Sequence, residues 1–486
     1  MRYLKGIILT ALFLSQCFYA MAALSLPKIF TNNMVLQRGN GVLVWGRSAP
    51  GEKVFMAFHD QHKVTVANAD SSWTIKLDGL QAGGPYNMQI SNNVGEKIII
   101  HNILVGEVWI CAGQSNMNFV LSGDNNGPQE IKYLNNNTIR EFRCQMPDGV
   151  INPENKEHSK WVMAEGEKAN LFSAVAYYYA KKIQSTLHIP VGIIVMSCGA
   201  TRAESWTNPA VLQLYPQLKP LLHYWDLHKN NKDNPVNFLP GKFYTDVVKP
   251  VAPFTAKGLI WYQGESNTLP DNSNRSIAAR AAEYKPLLQA VIRSWRMAWK
   301  NNDWPMYIVQ LPNYKDPSGN IYWAEIRQAQ LEVAQNTNNT ALAITIDAGD
   351  STNIHPKDKK TVGERIARLA LYKEYGYSGT SDANGPIVKS MRTAGNKAVL
   401  EFSNVKSGLQ NKSGGDKLLG FEMADVAAKD RFVKANATID HNKVIITSAD
   451  IKHPEAVRYG WADNPVVSLF NGTGLPASPF LIRSHD

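Results

Sequence analysis

"WICAGQSNMNF", residues 109–119, decides the fold. An apolar run that reads as a buried strand stops in Gly113, Gln114, Ser115 and Asn116. A strand that only packs ends in a turn, and Ser-Asn makes turns. A strand that delivers a nucleophile ends in a small residue, a hydroxyl and hydrogen-bonding amides. The surrounding chain chooses between the two.

From Gly106 to about Tyr377, short apolar runs alternate with helical stretches. The runs are "VWICA", "VGIIVMS", "KGLIWYQ", "PMYIVQL" and "ALAITID"; the stretches are "SAVAYYYAKKIQSTL", "AARAAEYKPLLQAVIRSWRMAW", "WAEIRQAQLEVAQNT" and "TVGERIARLALYKEY". That alternation predicts a parallel α/β sheet. Residues 23–105 instead alternate short β-prone runs ("GVLVWG", "KVFMAF", "KIIIHNILV") with turn signals ("SAPGE", "QAGGP", "NNVGE"). They predict an antiparallel sandwich or jelly roll. Residues 378–486 return to β character with "KAVLEFSNV" and "KVIITSA".

Ahead of these lies "MRYLKGIILTALFLSQCFYAMAALS". Arg2 and Lys5, the apolar stretch from Gly6 to Phe18, and Ala20-Met21-Ala22 have the layout of a secretory signal covering residues 1–22. The expectation is export to the periplasm or medium, with no membrane span after cleavage. Beyond Cys17, only Cys111, Cys144 and Cys198 remain, and two of them sit in apolar runs. They read as buried small hydrophobes. No Cys/His cluster has metal-ligand spacing, so no metal or other cofactor is expected. The formal charge is +10, but it is scattered without a basic block, which argues against a nucleic-acid partner. A small molecule or glycan is the expected partner; oligomeric state is not readable.

Ligands bind at the carboxyl ends of strands in open parallel sheets. The first strand ends at Gly113-Gln114-Ser115-Asn116, and the second at Cys198-Gly199-Ala200-Thr201, followed by Arg202, Glu204 and Trp206. The third ends at Gln263-Gly264-Glu265-Ser266-Asn267, and the last runs through Asp350 to Asn353-Ile354-His355-Pro356. Four such ends in one sheet make an active site. Ser115 is the candidate nucleophile and His355 its base, with Pro356 expected in the first turn of the following helix. The oxyanion donors are the N–H groups of Ser115 and Gly199, with a side-chain amide from Gln263 or Asn267. Gln114, Asn116, Arg202, Trp206 and Glu265 are candidate substrate contacts, Arg202 for a carboxylate. Trp323 and Glu325 are further pocket candidates.

"VGEVWICAGQSNM", "SCGATRAESW", "KGLIWYQGESN", "IHPKDKKTVGERIA" and the tail "YGWADNPVVSLFNGTGLPASPF" resemble the SGNH hydrolases, and more closely their sialate O-acetylesterase family. The resemblance extends to "NMVLQRGNGVLVWGRSAPGEKV" and spans nearly the whole mature chain. It implies an SGNH-type α/β hydrolase domain (residues 106–377) between β-rich regions (23–105 and 378–486). It also implies that Ser115 is the nucleophile, His355 the base and Gly199 the second oxyanion donor, with the third donor between Gln263 and Asn267. Two departures stand out. Related hydrolases often carry an aspartate two or three residues before the histidine, where this chain has Asn353 and Thr352. Relatives also usually carry Asn-Gly-Met in place of Thr245-Asp246-Val247. Either Asp350 orients His355 as a third catalytic member, or a main-chain carbonyl does. The implied activity is O-deacetylation of sialic acids. The alternatives are an acetyl esterase on plant polysaccharides such as xylan or xyloglucan, and a non-catalytic carbohydrate-binding protein.

Overall fold

The computed structural model describes residues 23–485 apart from 40, 149, 151–158, 229–234, 270–274, 320, 378, 380 and 429. The expected signal segment, 1–22, lies outside the described residues. The central sheet contains β1 (Lys97–Gly113), β2 (Asn135–Arg143), β3 (Trp161–Glu165), β4 (Val191–Ser197), β5 (Gly258–Tyr262), β6 (Met306–Val309) and β7 (Thr340–Ala343). Their spatial order is β7-β6-β5-β1-β4-β2-β3. Every pairing is parallel except β2 with β3.

The alternation of β1 explains the layers, because successive strand side chains point to opposite faces. Ile110 and Ala112 pack with Leu287, Val291 and Trp295 of α2 (Ile277–Ala298) and with Ile326 and Leu331 of α3 (Trp323–Asn336). Trp109 and Cys111 face the other way, against Tyr179 and Ile183 of α1 (Ala174–Leu187) and Val362 and Ile366 of α4 (Lys359–Tyr375). Caps fix the helix starts: Ser173 accepts from the Ala176 N–H, Ser276 from Ala279 and Asp358 from Thr361. Asp358 thus places the start of α4 at Lys359, and the expected first-turn residue Pro356 lies outside it. The last sheet strand also stops earlier than "ALAITID" suggests. It ends at Ala343, and Asp347 lies beyond it, paired with Arg365 at 2.5 Å. Strands β2 and β3 were not anticipated, because "NNNT" reads as a polar turn although residues 139–143 are fully buried.

Strand β1 is seventeen residues long, and its two halves belong to different neighbours. Residues 97–105 pair antiparallel with Gly83–Asn92, and residues 104–106 pair parallel with Val35–Gln37. From Glu107 onward β1 pairs with β4, and from Trp109 with β5. The β-rich N-terminal region is therefore continuous with the α/β sheet through one strand. Glu107 sits at the handover. Its carboxylate accepts from Arg38 Nε (2.5 Å), Gln37 Nε2 (3.0 Å) and the Tyr375 hydroxyl (2.9 Å).

The C-terminal region is also β-rich, with two four-stranded sheets and a two-stranded one. It docks on α3: the Asp463 carboxylate accepts from the N–H groups of Ile321 and Trp323, each at 2.8 Å. Buried Arg327 donates to the carbonyls of Pro312, Ala462 and Asp463. Cys111, Cys144 and Cys198 are free and buried. Among the described residues no helix is long and apolar enough to cross a membrane.

Glu107→Ala would strand two amide or hydroxyl donors and one guanidinium at a buried joint. It is expected to cost roughly 2–4 kcal/mol, read as a lowered denaturation midpoint. A midpoint within error of the parent would show that the handover is held by strand pairing alone.

Candidate active site

The strand ends converge as four loops on one rim of the sheet. Gly113 has φ +141°, and a Cβ there would lie 2.0 Å from the Tyr262 carbonyl oxygen. Only glycine fits so close to β5 in that conformation. The Gln114 N–H donates to the same oxygen at 3.1 Å, and the chain then turns into a four-residue helix, Ser115–Asn118. This lifts Ser115 to the surface of the rim, half-buried, while Asn116 is fully buried.

Ser115 Oγ and His355 Nε2, 240 residues apart in sequence, are 2.8 Å apart. A side chain begun at Gly199 would stand 3.7 Å from the Ser115 Cβ, so the two main-chain segments are adjacent. Among the described residues nothing accepts from the N–H of Ser115 or of Gly199. A cavity of about 580 Å³ opens over them, lined also by Gln114, Asn237, Glu265, Ser266 and Ile354.

The side-chain amides expected to complete the oxyanion donors are spent elsewhere. Gln263 Nε2 donates to Gln114 Oε1 (3.3 Å), the Thr201 carbonyl (3.1 Å) and Asn267 Oδ1 (2.6 Å). Asn267 Nδ2 donates to buried Glu204 at 3.0 Å, and its Oδ1 also accepts from the Ala203 N–H. Neither residue lines the cavity; they lock the second and third loops together. Gln114 does line it, yet its Oε1 accepts from the Ser266 N–H at 3.2 Å and its Nε2 donates to Ser266 Oγ at 3.1 Å.

Arg202 is likewise not a substrate cation. It is buried, donates to the carbonyls of Ser266 (3.1 Å) and Leu269 (2.8 Å), and lies 4.0 Å over the Phe238 ring. It holds the loop that ends β5. Trp206 is fully buried, donating its indole N–H to Thr201 Oγ1 and packing on Phe243. Trp323 is buried against Tyr314, and Glu325 is absent from the cavity lining. Of the expected substrate contacts, Gln114 and Glu265 line the cavity, whereas Asn116 lies directly beneath it.

Asp350 does not reach His355. Its carboxylate accepts from both the N–H and the hydroxyl of Thr352, each at 2.8 Å. This exposed turn holds its pKa below the usual carboxylate value. Asn353, in the position where a carboxylate was sought, accepts the His355 N–H at 2.9 Å. Among the described residues no carboxylate or carbonyl hydrogen-bonds the second ring nitrogen of His355. Burial, reinforced by the nearby Lys359 charge, lowers the His355 pKa from its ordinary value.

Behind the pair lies a buried polar chain that the sequence analysis did not find. Asn116 Nδ2 donates to Glu265 Oε1 (2.5 Å) and to the Ile354 carbonyl (3.1 Å), and Lys359 Nζ donates to Asn116 Oδ1 (2.5 Å). Burial raises the Glu265 pKa and lowers that of Lys359 to about 7. A signal for Lys359 existed: it shares one face of α4 with Val362, Gly363 and Ile366, at the spacing of an apolar stripe.

Residues 105–372 match the model of a family described as carbohydrate esterase, sialic acid-specific acetylesterase. The chain belongs to this family. It is 25% identical to the sialate O-acetylesterase of Mus musculus over 93% of each chain. It is 24% identical to that of Homo sapiens, over 94% of this chain and 92% of the human one. A carbohydrate acetylesterase from Xanthomonas citri has a solved structure that superposes with a TM-score of 0.81, at 32% identity, covering 95% of this chain and all of that one. The chain is therefore a carbohydrate esterase, a hydrolase of carbohydrate O-acetyl esters. Among the described residues no three His, Cys, Asp or Glu side chains gather as a metal site.

Because Asp350 is turned away, Asp350→Asn is expected to change kcat less than about tenfold. Loss of a true third triad member costs about 10⁴. A fall of that size with the fold intact would return Asp350 to the site.

Proposed function

We propose that the chain hydrolyses O-acetyl esters of sialic acids by serine catalysis through an acyl-enzyme. The observation that carries the reading is the 2.8 Å contact of Ser115 Oγ with His355 Nε2 at the cavity floor. Neutral His355 takes the Ser115 proton as Oγ attacks the acetyl carbonyl. The oxyanion that forms faces the free N–H groups of Ser115 and Gly199. Collapse expels the sugar oxygen, which takes the proton from the imidazolium, and leaves acetyl-Ser115. His355 then activates water, and acetate departs.

Sialic acid as the sugar is supported by the relatives named sialate O-acetylesterase, which align along nearly the whole chain. One observation favours a neutral glycan such as acetylated xylan or xyloglucan. The described cavity lining contains Glu265 but no lysine or arginine to meet a sialic acid carboxylate. Rates on O-acetylated sialic acid, measured beside those on acetylated xylan and xyloglucan oligomers, decide between them. The non-catalytic reading has no support in a paired serine and histidine.

Ser115→Ala is expected to lower turnover of a chromogenic acetyl ester by at least ~10³-fold with an unchanged melting curve. Substantial activity in a folded variant would place the nucleophile elsewhere. Export is proposed on residues 1–22 alone, with the mature chain starting at Ala23. The mass of the secreted or periplasmic protein tests this, and a retained N-terminus contradicts it.

A further inference from the structure

The ammonium of Lys359 is fully buried, and among the described residues its side chain donates to Asn116 Oδ1 at 2.5 Å. Two rings flank it, Phe119 at 4.9 Å and Tyr262 at 5.7 Å. Among the described residues no carboxylate pairs with it directly. Burying an ammonium is costly, and an apolar side chain of like volume would fill the site more cheaply. The charge therefore answers to something other than packing.

An ammonium can only donate, so it fixes which end of the Asn116 amide faces it. The two Nδ2 hydrogens are then committed to Glu265 Oε1 and to the Ile354 carbonyl. Ile354 immediately precedes His355, whose own N–H is held by Asn353.

We propose that Lys359 is a positioning residue for His355, pinning the histidine's peptide through Asn116. The proposal rests on the esterase reading above and goes beyond it. Lys359 is the charged group that acts on the ring, and around its own ammonium stand Asp358 at the start of α4, Glu265 from the loop after β5, and Asp124, which accepts the Lys359 N–H. Asp350 and Lys357 lie on the exposed side. Of these, Lys359 is the charge that perturbs His355, in the direction of lower pKa.

Two variants separate the components. Lys359→Met removes both the charge and the donor, whereas Lys359→Gln removes the charge but can still donate to Asn116. Each is followed by NMR titration of the His355 ring C–H protons and by kcat and KM for a chromogenic acetyl ester across pH. Removing a neighbouring positive charge stabilises the imidazolium. The His355 titration and the acid limb of kcat/KM are therefore expected to move up together, by at least about half a pH unit. Lys359→Met should also lower kcat about tenfold or more with KM nearly unchanged, and Lys359→Gln should recover part of that loss. A kcat that Lys359→Met leaves unchanged overturns the proposal, as does a loss confined to KM. A parent protein inactive on every acetyl ester would sink the esterase reading, while an NMR shift on Lys359 substitution would still support the coupling of Lys359 to His355.

Discussion

At Gly113 the chain runs so close to its neighbour that a single methyl group would sit 2.0 Å from the Tyr262 carbonyl oxygen. The site is built outward from that contact. It forces the positive φ that ends β1 and lets the Gln114 N–H reach the same carbonyl. It also aims the Gln114 side chain into the loop that follows β5. There Gln114 Oε1 collects the N–H groups of Gly264 and Ser266 together with the Gln263 amide. The motifs "GQSN" and "QGESN" thus bind each other. Their glutamines read from sequence as candidates for chemistry, and they act chiefly as the clamp between two strand ends.

The clamp has to be rigid, because Ser115 follows the central strand β1 while His355 lies beyond the edge strand β7. Rigidity arises from elements far from the chemistry. Strand β1 is anchored in the N-terminal region before it enters the α/β sheet, with Glu107 tying Arg38, Gln37 and Tyr375 at the passage. Tyr375 is the last residue of α4, the helix whose start carries Lys359. At the other side of the sheet, Asp463 and Arg327 fasten the C-terminal region to α3. The N-terminal β-rich region is thus tied to β1 and α4, and the C-terminal one to α3.

Patterns local in sequence were legible in advance. The β/α alternation, the five main strands, the four long helices, and Ser115 and Gly199 just past strand ends all follow from periodicity and turn chemistry, whereas His355 lies twelve residues beyond its strand, which ends at Ala343. What could not be read was the partner of each polar side chain. Gln263, Asn267 and Arg202 have the right types at the right places, but burial commits their donors to neighbouring loops. Asp350 is the nearest acid to His355 along the chain, yet a two-residue turn to Thr352 satisfies it at less entropic cost than reaching back to the ring. Lys359 was not singled out, since it lies in the charged run "KDKK". Only the helical register set by Asp358 turns it inward beside Val362 and Ile366.

The arrangement around His355 replaces a charged orienting group with a held peptide. A carboxylate on the far ring nitrogen would both aim the imidazole and stabilise the imidazolium. Here Asn353 grips the His355 N–H and Asn116 grips the preceding carbonyl, so the ring is aimed through its backbone. Desolvation and the nearby Lys359 charge lower the pKa of His355 and make it a weaker base. Such a base gives up driving force for taking a proton but suffers less from its own protonation. That exchange suits an ester. Its carbonyl is more electrophilic than an amide's, and its alkoxide leaving group makes a lighter demand on the imidazolium than an amine does. A histidine held through its backbone and kept a weak base is thus suited to the removal of an acetyl group from a hydroxyl.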